Sequence, residues 1–182
     1  MNTSYTLWWD RKSGSICYID QTLLPNRERI VKCRSVPRLI TAIRRLEIRG
    51  APALGVAGAF GVALSAALCR ESGPGEFFAS VTRDAEMLRA TRPTAVNLGW
   101  GIDRVLETIR HVTSVNEAKQ QALAEADRIL LEDTACCHAI GKHGSALLAG
   151  TCRVLTHCNA GALACSSWGT ALGVIRSAVN AG

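Results

Sequence analysis

Cys158 is the residue of this sequence whose type and position best suit chemistry. Residues 153–157 form a short run with two β-branched side chains that predicts a buried strand, and residues 162–179 predict a helix rich in small residues. The turn Asn159-Ala160-Gly161 joins them, which places Cys158 at the bend. Unpaired N–H groups at a helix N-terminus favour a thiolate and can also hold an anion. Cys158 is therefore the best candidate for a catalytic residue.

The alternative for Cys158 is a buried, inert thiol, because most free cysteines are of that kind. Seven further cysteines are assigned to the core, at positions 17, 33, 69, 136, 137, 152 and 165. They contain no C-x-x-C pair and no cluster with zinc-site spacing, so we predict no metal, and reduced thiols in a cytoplasmic protein. Cys137, His138 and His143 are predicted to be packing or polar interior groups rather than ligands.

Arg49-Gly50-Ala51 is a second place where chemistry is expected, because a predicted helix starts at Ala51-Pro52. Proline is favoured in the first turn of a helix, where the N–H groups have no partner. An arginine and a helix N-terminus would converge there and could bind a phosphate. The alternative is that Arg49 only caps the helix before it.

The elements that must position these residues are a small sheet and a series of helices. Residues 5–9 and 16–20 predict a hairpin with Gly14 at a positive φ, and residues 29–33 predict a third strand. Helices are predicted over residues 35–50, 51–68, 76–89 and 95–112, and from 114 towards 137. The helical part ends at Gly150. We therefore predict an α/β fold with an α+β N-terminal domain over residues 1–150 and the start of another domain over 151–182.

Composition restricts the classes of partner. An apolar fraction of 48% in 182 residues is enough for a packed core in one domain, or one domain and part of another. Residues 27–49 contain eight basic and two acidic side chains, and this local charge of +6 equals that of the whole chain. The cluster predicts a solvated helix face, since no aromatic residues are interleaved with it as in nucleic-acid modules. We therefore predict no nucleic-acid partner.

One stretch is long enough to raise the question of a membrane span. Residues 51–68 carry no charge, but they are mostly alanine and glycine and lack the leucine and phenylalanine density that favours insertion. Gly55, Gly58 and Gly61 recur every third residue, which predicts that another backbone packs closely against this helix. The residues before Asp10 do not have the pattern of a signal peptide. A buried helix and no membrane partner are expected.

Three motifs in this order resemble those of S-methyl-5-thioribose-1-phosphate isomerases. They are IRGAPALG at 48–55, RPTAVNL at 92–98, and THCNAGALA at 156–164 followed by GTALG at 169–173. The IDQT sequence at 19–22 is similar to the N-terminal hairpin of that family. The resemblance extends over nearly the entire chain, and three long motifs in order are far more specific than any one of them.

The resemblance implies an aldose–ketose isomerase of methionine salvage that uses no metal or nucleotide cofactor. Arg49, Gly50, Ala51 and Arg92 would bind the sugar phosphate, and Cys158 would be the catalytic cysteine. The alternative for Arg92 is a surface ion pair with a nearby acid, Asp84 or Glu86. The family fold implies a Rossmann-like domain that starts before the cysteine, and a homodimer for the full-length protein.

The chain departs from the family in length. Family members are about twice as long, and their catalytic aspartate lies in the half after the position of Gly182. Asp103, Asp127 and Asp133 do not match that motif. We therefore expect a fragment or a truncated product, with an incomplete Rossmann-like domain and half of an active site. Isomerases of ribose 1,5-bisphosphate or 5-deoxyribose 1-phosphate, and regulatory subunits of initiation factor 2B that act by binding, remain alternatives.

Overall fold

A computed structural model describes residues 5–148, 150 and 153–182. Within these residues, a three-stranded antiparallel sheet in the order β1-β2-β3 is followed by six α-helices. The strands are β1 (Leu7–Asp10), β2 (Ser15–Ile19) and β3 (Ile30–Cys33), and the helices are α1 (Val36–Arg44), α2 (Ala51–Leu68), α3 (Pro74–Arg89), α4 (Val96–Ile109), α5 (Val115–Ser145) and α6 (Ala171–Asn180). The predicted mixed α/β class, the hairpin and the third strand are confirmed.

The sheet packs its inner face on the helices. Leu7 pairs with Tyr18 across the hairpin, whose turn contains Gly14 at the predicted positive φ of 58°. Leu7, Ile16 and Tyr18 are fully buried, and the Trp9 ring stacks on Phe60 of α2 with centroids 6.2 Å apart. Because both the sheet and other helices pack against α2, this helix forms the centre of the core.

The predicted buried helix is confirmed in α2. It is long and apolar enough to cross a membrane, but 78% of its residues are buried inside this fold. A methyl group added to Gly58 would lie 2.7 Å from the carbonyl oxygen of Leu98, and one added to Gly101 would overlap the carbonyl oxygen of Gly55. The predicted close approach of a second backbone is therefore made by α4. Both helices need glycine at their contact.

The direction of each helix determines which loops meet. Ser65 donates a hydrogen bond of 2.6 Å to Asp84, and Gly61 packs on Leu88, so α3 runs antiparallel to α2. The short loop after Arg89 reverses the chain again. As a result α4 runs parallel to α2, and the N-termini of these two helices lie at the same end of the helical layer.

Three sequence predictions about the elements are wrong. The first helix ends at Arg44 rather than Gly50, since Leu46 takes a left-handed φ of 61°. Residues 153–157 form no strand, because no described strand pairs with them. The last helix begins at Ala171 rather than 162, because Trp168 and Gly169 adopt positive φ values of 58° and 98° that interrupt any helix.

The predicted domain boundary after Gly150 is not tested, because Thr151 and Cys152 lie outside the described residues. The same holds for the assignment of Cys152 to the core. On either side of this point, α5 and α6 pack closely. A methyl group on Gly144 of α5 would lie 2.6 Å from Val174 of α6, so the two helices touch at a glycine.

The contact between α2 and α4 makes a testable prediction. Gly101→Ala should lower the free energy of unfolding by about 2–3 kcal/mol, because its methyl group can be accommodated only if α4 moves away from Gly55. Gly75→Ala in the first turn of α3 is the matched control, since nothing lies within 4 Å of its added methyl group. It should change stability by less than about 1 kcal/mol. Urea denaturation measures both, and equal effects of the two variants would contradict the proposed contact.

Candidate active site

The Arg49-Gly50-Ala51 turn forms the open N-terminus of α2. Gly50 is the N-cap residue, with a φ of 97° that favours glycine, and Pro52 occupies the first turn. Among the described residues, neither the Gly50 nor the Ala51 N–H group has an acceptor. Ala51 is exposed and Gly50 is partly exposed, and the unpaired N–H groups of a helix N-terminus can bind an anion.

Arg49 does not cap the preceding helix, since α1 ends five residues earlier. Its Nε donates a hydrogen bond of 3.2 Å to the side-chain oxygen of Gln21. Within the described part of the chain, no carboxylate is paired with its guanidinium. The guanidinium is therefore oriented through one nitrogen, and its remaining donors can bind an anion.

A buried carboxylate, that of Glu47, lies two residues before Arg49 in the sequence. Glu47 is only 4% exposed, accepts a hydrogen bond of 2.7 Å from the Tyr18 hydroxyl, and pairs with Arg38 at 2.5 Å. Burial and the neighbouring Glu47 raise the pKa of Tyr18. Arg38 therefore differs from the other basic residues of the 27–49 cluster, which are exposed as predicted. It neutralises a charge inside the fold.

Arg92 lies in the loop that precedes α4, at the same end of the helical layer as Ala51. It lines an open groove of about 890 Å³ between α3 and α4. The ion pair proposed as the alternative for Arg92 is not formed, because Asp84 accepts from Ser65 and Glu86 pairs with Arg89. Three other arginines of this groove are paired with acids, namely Arg89, Arg104 and Arg110. Arg92 has no acidic partner among the described residues.

The chain after Cys158 folds back against the Arg49-Gly50-Ala51 turn. Residues 160–170, here called the 160–170 segment, form a loop closed by a bridge between Gly161 and Gly169. A methyl group on Gly50 would overlap the Cα of Ala164, so this loop and the turn are in backbone contact. The structure thus brings the third motif to the first one.

The 160–170 segment is held by hydrogen bonds from three elements. The Thr6 hydroxyl donates to Ala162 O at 2.7 Å, Gln21 Nε2 donates to Leu163 O at 2.7 Å, and the Ser166 N–H donates to Asp133 at 2.6 Å. These contacts come from the residue before β1, the 3₁₀ turn at Gln21–Leu23 and helix α5. They fix a loop that has little regular structure of its own.

Cys158 is exposed and does not lie at a helix N-terminus. The helix predicted to follow it begins at Ala171, which corrects the reason given for a favoured thiolate. Cys158 itself has a φ of 70°, an uncommon conformation for a residue with a side chain. Backbone strain of this kind clusters at functional sites, so the assignment of Cys158 as catalytic remains a prediction with a different basis.

The other described cysteines differ in how far their side chains are buried. Cys17, Cys33, Cys137 and Cys165 are buried, and desolvation raises the pKa of each thiol. Cys136 is exposed, so its assignment to the core is wrong. His138 and His143 are also exposed rather than interior, with the His138 ring 4.7 Å from that of Trp168. The described residues contain no group of three or more potential metal ligands.

Sequence reasoning missed Gln21, which contacts both the Arg49 side chain and the 160–170 segment. The only signal was its place in the IDQT motif, which showed no charge or metal-binding pattern. It also missed Asp133 and Thr6, because their partners are backbone groups more than 30 residues away.

Comparisons with known proteins identify the family of this chain. The model of the initiation factor 2 subunit family matches residues 47–182. A putative methylthioribose-1-phosphate isomerase of Methanosarcina acetivorans is 50% identical over 181 residues, which are 97% of this chain and 51% of the relative. The methylthioribose-1-phosphate isomerase of a Roseiflexus species is 48% identical, over 95% of this chain and 50% of the relative. The resemblance inferred from the three motifs is confirmed.

Two solved structures share the fold. A protein of A. fulgidus described as translation initiation factor eIF-2B, subunit delta, has a TM-score of 0.88 and 44% identity, over 98% of this chain and 52% of its own. The 5-methylthioribose 1-phosphate isomerase of Pyrococcus horikoshii has a TM-score of 0.85 and 34% identity, over 94% and 48%. The chain thus spans about half the length of the relatives it matches.

The different burial of the thiols predicts a labelling pattern. Iodoacetamide should alkylate Cys136 and Cys158 of the native protein at least about tenfold faster than the four buried thiols, because burial limits both access and thiolate formation. Peptide mass spectrometry after a short exposure measures the pattern, and the same protein in urea should react at every cysteine. Protection of Cys158 equal to that of Cys165 would contradict its surface position.

The contact between Gly50 and Ala164 predicts a second outcome. Gly50 and Gly14 both have a positive φ, so replacing either with alanine should lower the free energy of unfolding by about 1–2 kcal/mol. Gly50→Ala also introduces a clash with Ala164, whereas nothing lies within 4 Å of a methyl group added to Gly14. The Gly50 variant should therefore lose about 1–3 kcal/mol more stability. It should also speed amide hydrogen exchange in the 160–170 segment, which the Gly14 variant should leave unchanged. Equal exchange rates in both variants would show that Gly50 does not support this segment.

Proposed function

The chain belongs to the initiation factor 2 subunit family, and from this premise we propose that it supplies the phosphate-binding turn and the catalytic thiol of an aldose–ketose isomerase. The substrate we propose is 5-methylthioribose 1-phosphate, and the product is 5-methylthioribulose 1-phosphate. The observation that carries the proposal is the backbone contact between the Arg49-Gly50-Ala51 turn and the segment that follows Cys158.

The chemistry assigns a separate task to each part. A sugar 1-phosphate is locked as a cyclic acetal, so an acid must help to open the ring before a hydrogen moves between C2 and C1. Arg49, with the N–H groups of Gly50 and Ala51, would bind the phosphate dianion, and Arg92 would contribute a second charge from the neighbouring loop. Cys158 would act as an acid or base, or stabilise charge on the opened sugar.

The activity belongs, in this proposal, to a polypeptide that also contains the other half of the relatives' length. Residues 1–150 would form the N-terminal domain and residues 151–182 the start of a Rossmann-like one. The exposure of Val154 at 46% and Leu155 at 98% supports this, since an apolar strand of such a domain would be covered by its neighbours. A homodimer and a cytoplasmic location stay predictions of the same proposal.

A second candidate is a subunit that binds rather than catalyses. The A. fulgidus protein described as an eIF-2B delta subunit shares 44% identity with this chain, which favours this alternative. A binding subunit has no need of a thiol in a strained backbone conformation. The two candidates therefore differ in what substitution of Cys158 should do.

Cys158→Ser should lower kcat about 10²–10⁴-fold, the usual size of an acid–base contribution, and leave KM for 5-methylthioribose 1-phosphate within about threefold. Cys136→Ser is the matched control, because among the cysteines that the structure describes it removes the second exposed thiol, which lies on a helix surface. The full-length protein is assayed by following ketose formation. Activity that survives in the Cys158 variant would contradict the catalytic assignment, and absence of turnover in every form would favour the binding subunit.

A further inference from the structure

Gln21 lies between the two motifs of the candidate site and contacts both. Its side-chain oxygen accepts a hydrogen bond of 3.2 Å from Arg49 Nε, and its side-chain nitrogen donates one of 2.7 Å to Leu163 O. Its own N–H group donates to Glu47 O at 3.1 Å. We propose that Gln21 is a positioning residue that orients Arg49 for a phosphate ligand and sets its distance from the 160–170 segment. This inference rests on the proposed function.

The burial of Gln21 makes these hydrogen bonds specific. The residue is only 4% exposed, so its amide cannot exchange its partners freely for water. The partners of the side-chain amide distinguish its oxygen from its nitrogen, because the Arg49 guanidinium can only donate and the Leu163 carbonyl oxygen can only accept. The amide is thereby fixed in one orientation. A buried group fixed in this way transmits its own position to the flexible arginine side chain.

The neutrality of the amide fits an anion site. A glutamate at this position would also accept from Arg49, but it would cancel the positive charge that a phosphate needs. Glutamine uses one of the five guanidinium N–H donors and leaves the charge intact. With Nε occupied, the two terminal nitrogens of Arg49 stay available for a bidentate contact with phosphate oxygens.

The position of Gln21 is itself well determined. It begins the 3₁₀ turn Gln21–Leu23, whose N-cap residue Asp20 accepts from both the N–H and the hydroxyl group of Thr22. The Glu47 carbonyl that receives the Gln21 N–H belongs to the same residue whose carboxylate is held by Tyr18 and Arg38. The 3₁₀ turn and the hydrogen bond to the backbone of Glu47 thus fix the position of Gln21, and Tyr18 and Arg38 in turn fix Glu47.

Three variants separate its two contacts. Gln21→Met keeps the length of the side chain and removes both hydrogen bonds. Gln21→Glu keeps the acceptor for Arg49 and removes the donor to Leu163 O. Thr6→Val is the matched control, since it removes only a 2.7 Å hydrogen bond from the same segment at Ala162 O and does not touch Arg49.

The first measurement is the hydrogen exchange of the Arg49 Nε–H group in the 182-residue chain by NMR, with Arg49→Lys to assign the signal. Gln21→Met should speed exchange about tenfold, the equivalent of one hydrogen bond, while Thr6→Val should change it less than twofold. Gln21→Glu should restore slow exchange. Slow exchange in the Met variant, or equally fast exchange in Thr6→Val, would overturn the positioning role.

The second measurement is the isomerase assay on the full-length protein. Gln21→Glu should raise KM about tenfold to a hundredfold with kcat changed less than about threefold, because the carboxylate competes with the phosphate for Arg49. Gln21→Met should raise KM less than Gln21→Glu, and Thr6→Val should raise it less than either Gln21 variant, since it leaves the contact with Arg49 intact. A fall in kcat alone would overturn the proposal. If no form turns over, the exchange result still decides whether Gln21 positions Arg49, and only the proposed reaction fails.

Discussion

The close contact of α2 with α4 is the constraint on which the rest of the structure depends. Gly55 and Gly101 bring the two backbones so near that no side chain fits between them. Because dispersion and hydrophobic stabilisation both grow with close packing, this contact fixes the relative position of the helices. Since they run parallel, their N-termini lie at one end. The loops that carry Arg49 and Arg92 are brought to that end by the core rather than by contacts of their own.

The first and third motifs, at 48–55 and 156–164, are held together in a different way. The 160–170 segment has little secondary structure, and its position is determined by hydrogen bonds from Thr6, Gln21 and Asp133 and by the space that Gly50 leaves open. Each bond replaces one to water and contributes only about 0.5–1.5 kcal/mol, so the segment needs several of them. The N-terminal sheet therefore has a functional reason to precede the helices. Thr6, just before β1, and Gln21, just after β2, supply two of the three side chains that hold the segment beside Arg49.

The parts of this fold that local patterns determine could be predicted, and the parts that depend on distant partners could not. The hairpin turn at Gly14 and the buried helix α2 follow from turn chemistry and composition, and both are found. Residues 153–157 have the composition of a strand, but a strand exists only when another pairs with it. The prediction of a helix directly after Cys158 is wrong because Trp168 takes a left-handed conformation, which no propensity scale assigns to tryptophan. The candidate residues Arg49, Arg92 and Cys158 were chosen for charge, reactivity and resemblance, and their roles stay predictions. Gln21 carries no charge, and its place in the IDQT motif did not indicate its two contacts.

The distribution of charge around the candidate site explains why so few of the basic residues matter to it. Arg38 is used inside the fold to neutralise Glu47, and Arg89, Arg104 and Arg110 are paired with acids along the groove. A carboxylate paired with an arginine offsets the positive charge that would attract a phosphate and occupies some of the guanidinium donors. Arg49 and Arg92 have no such partner among the described residues. The amide of Gln21 is neutral and contacts Arg49 without reducing its charge, so this arginine keeps its full positive charge at the N-terminus of α2.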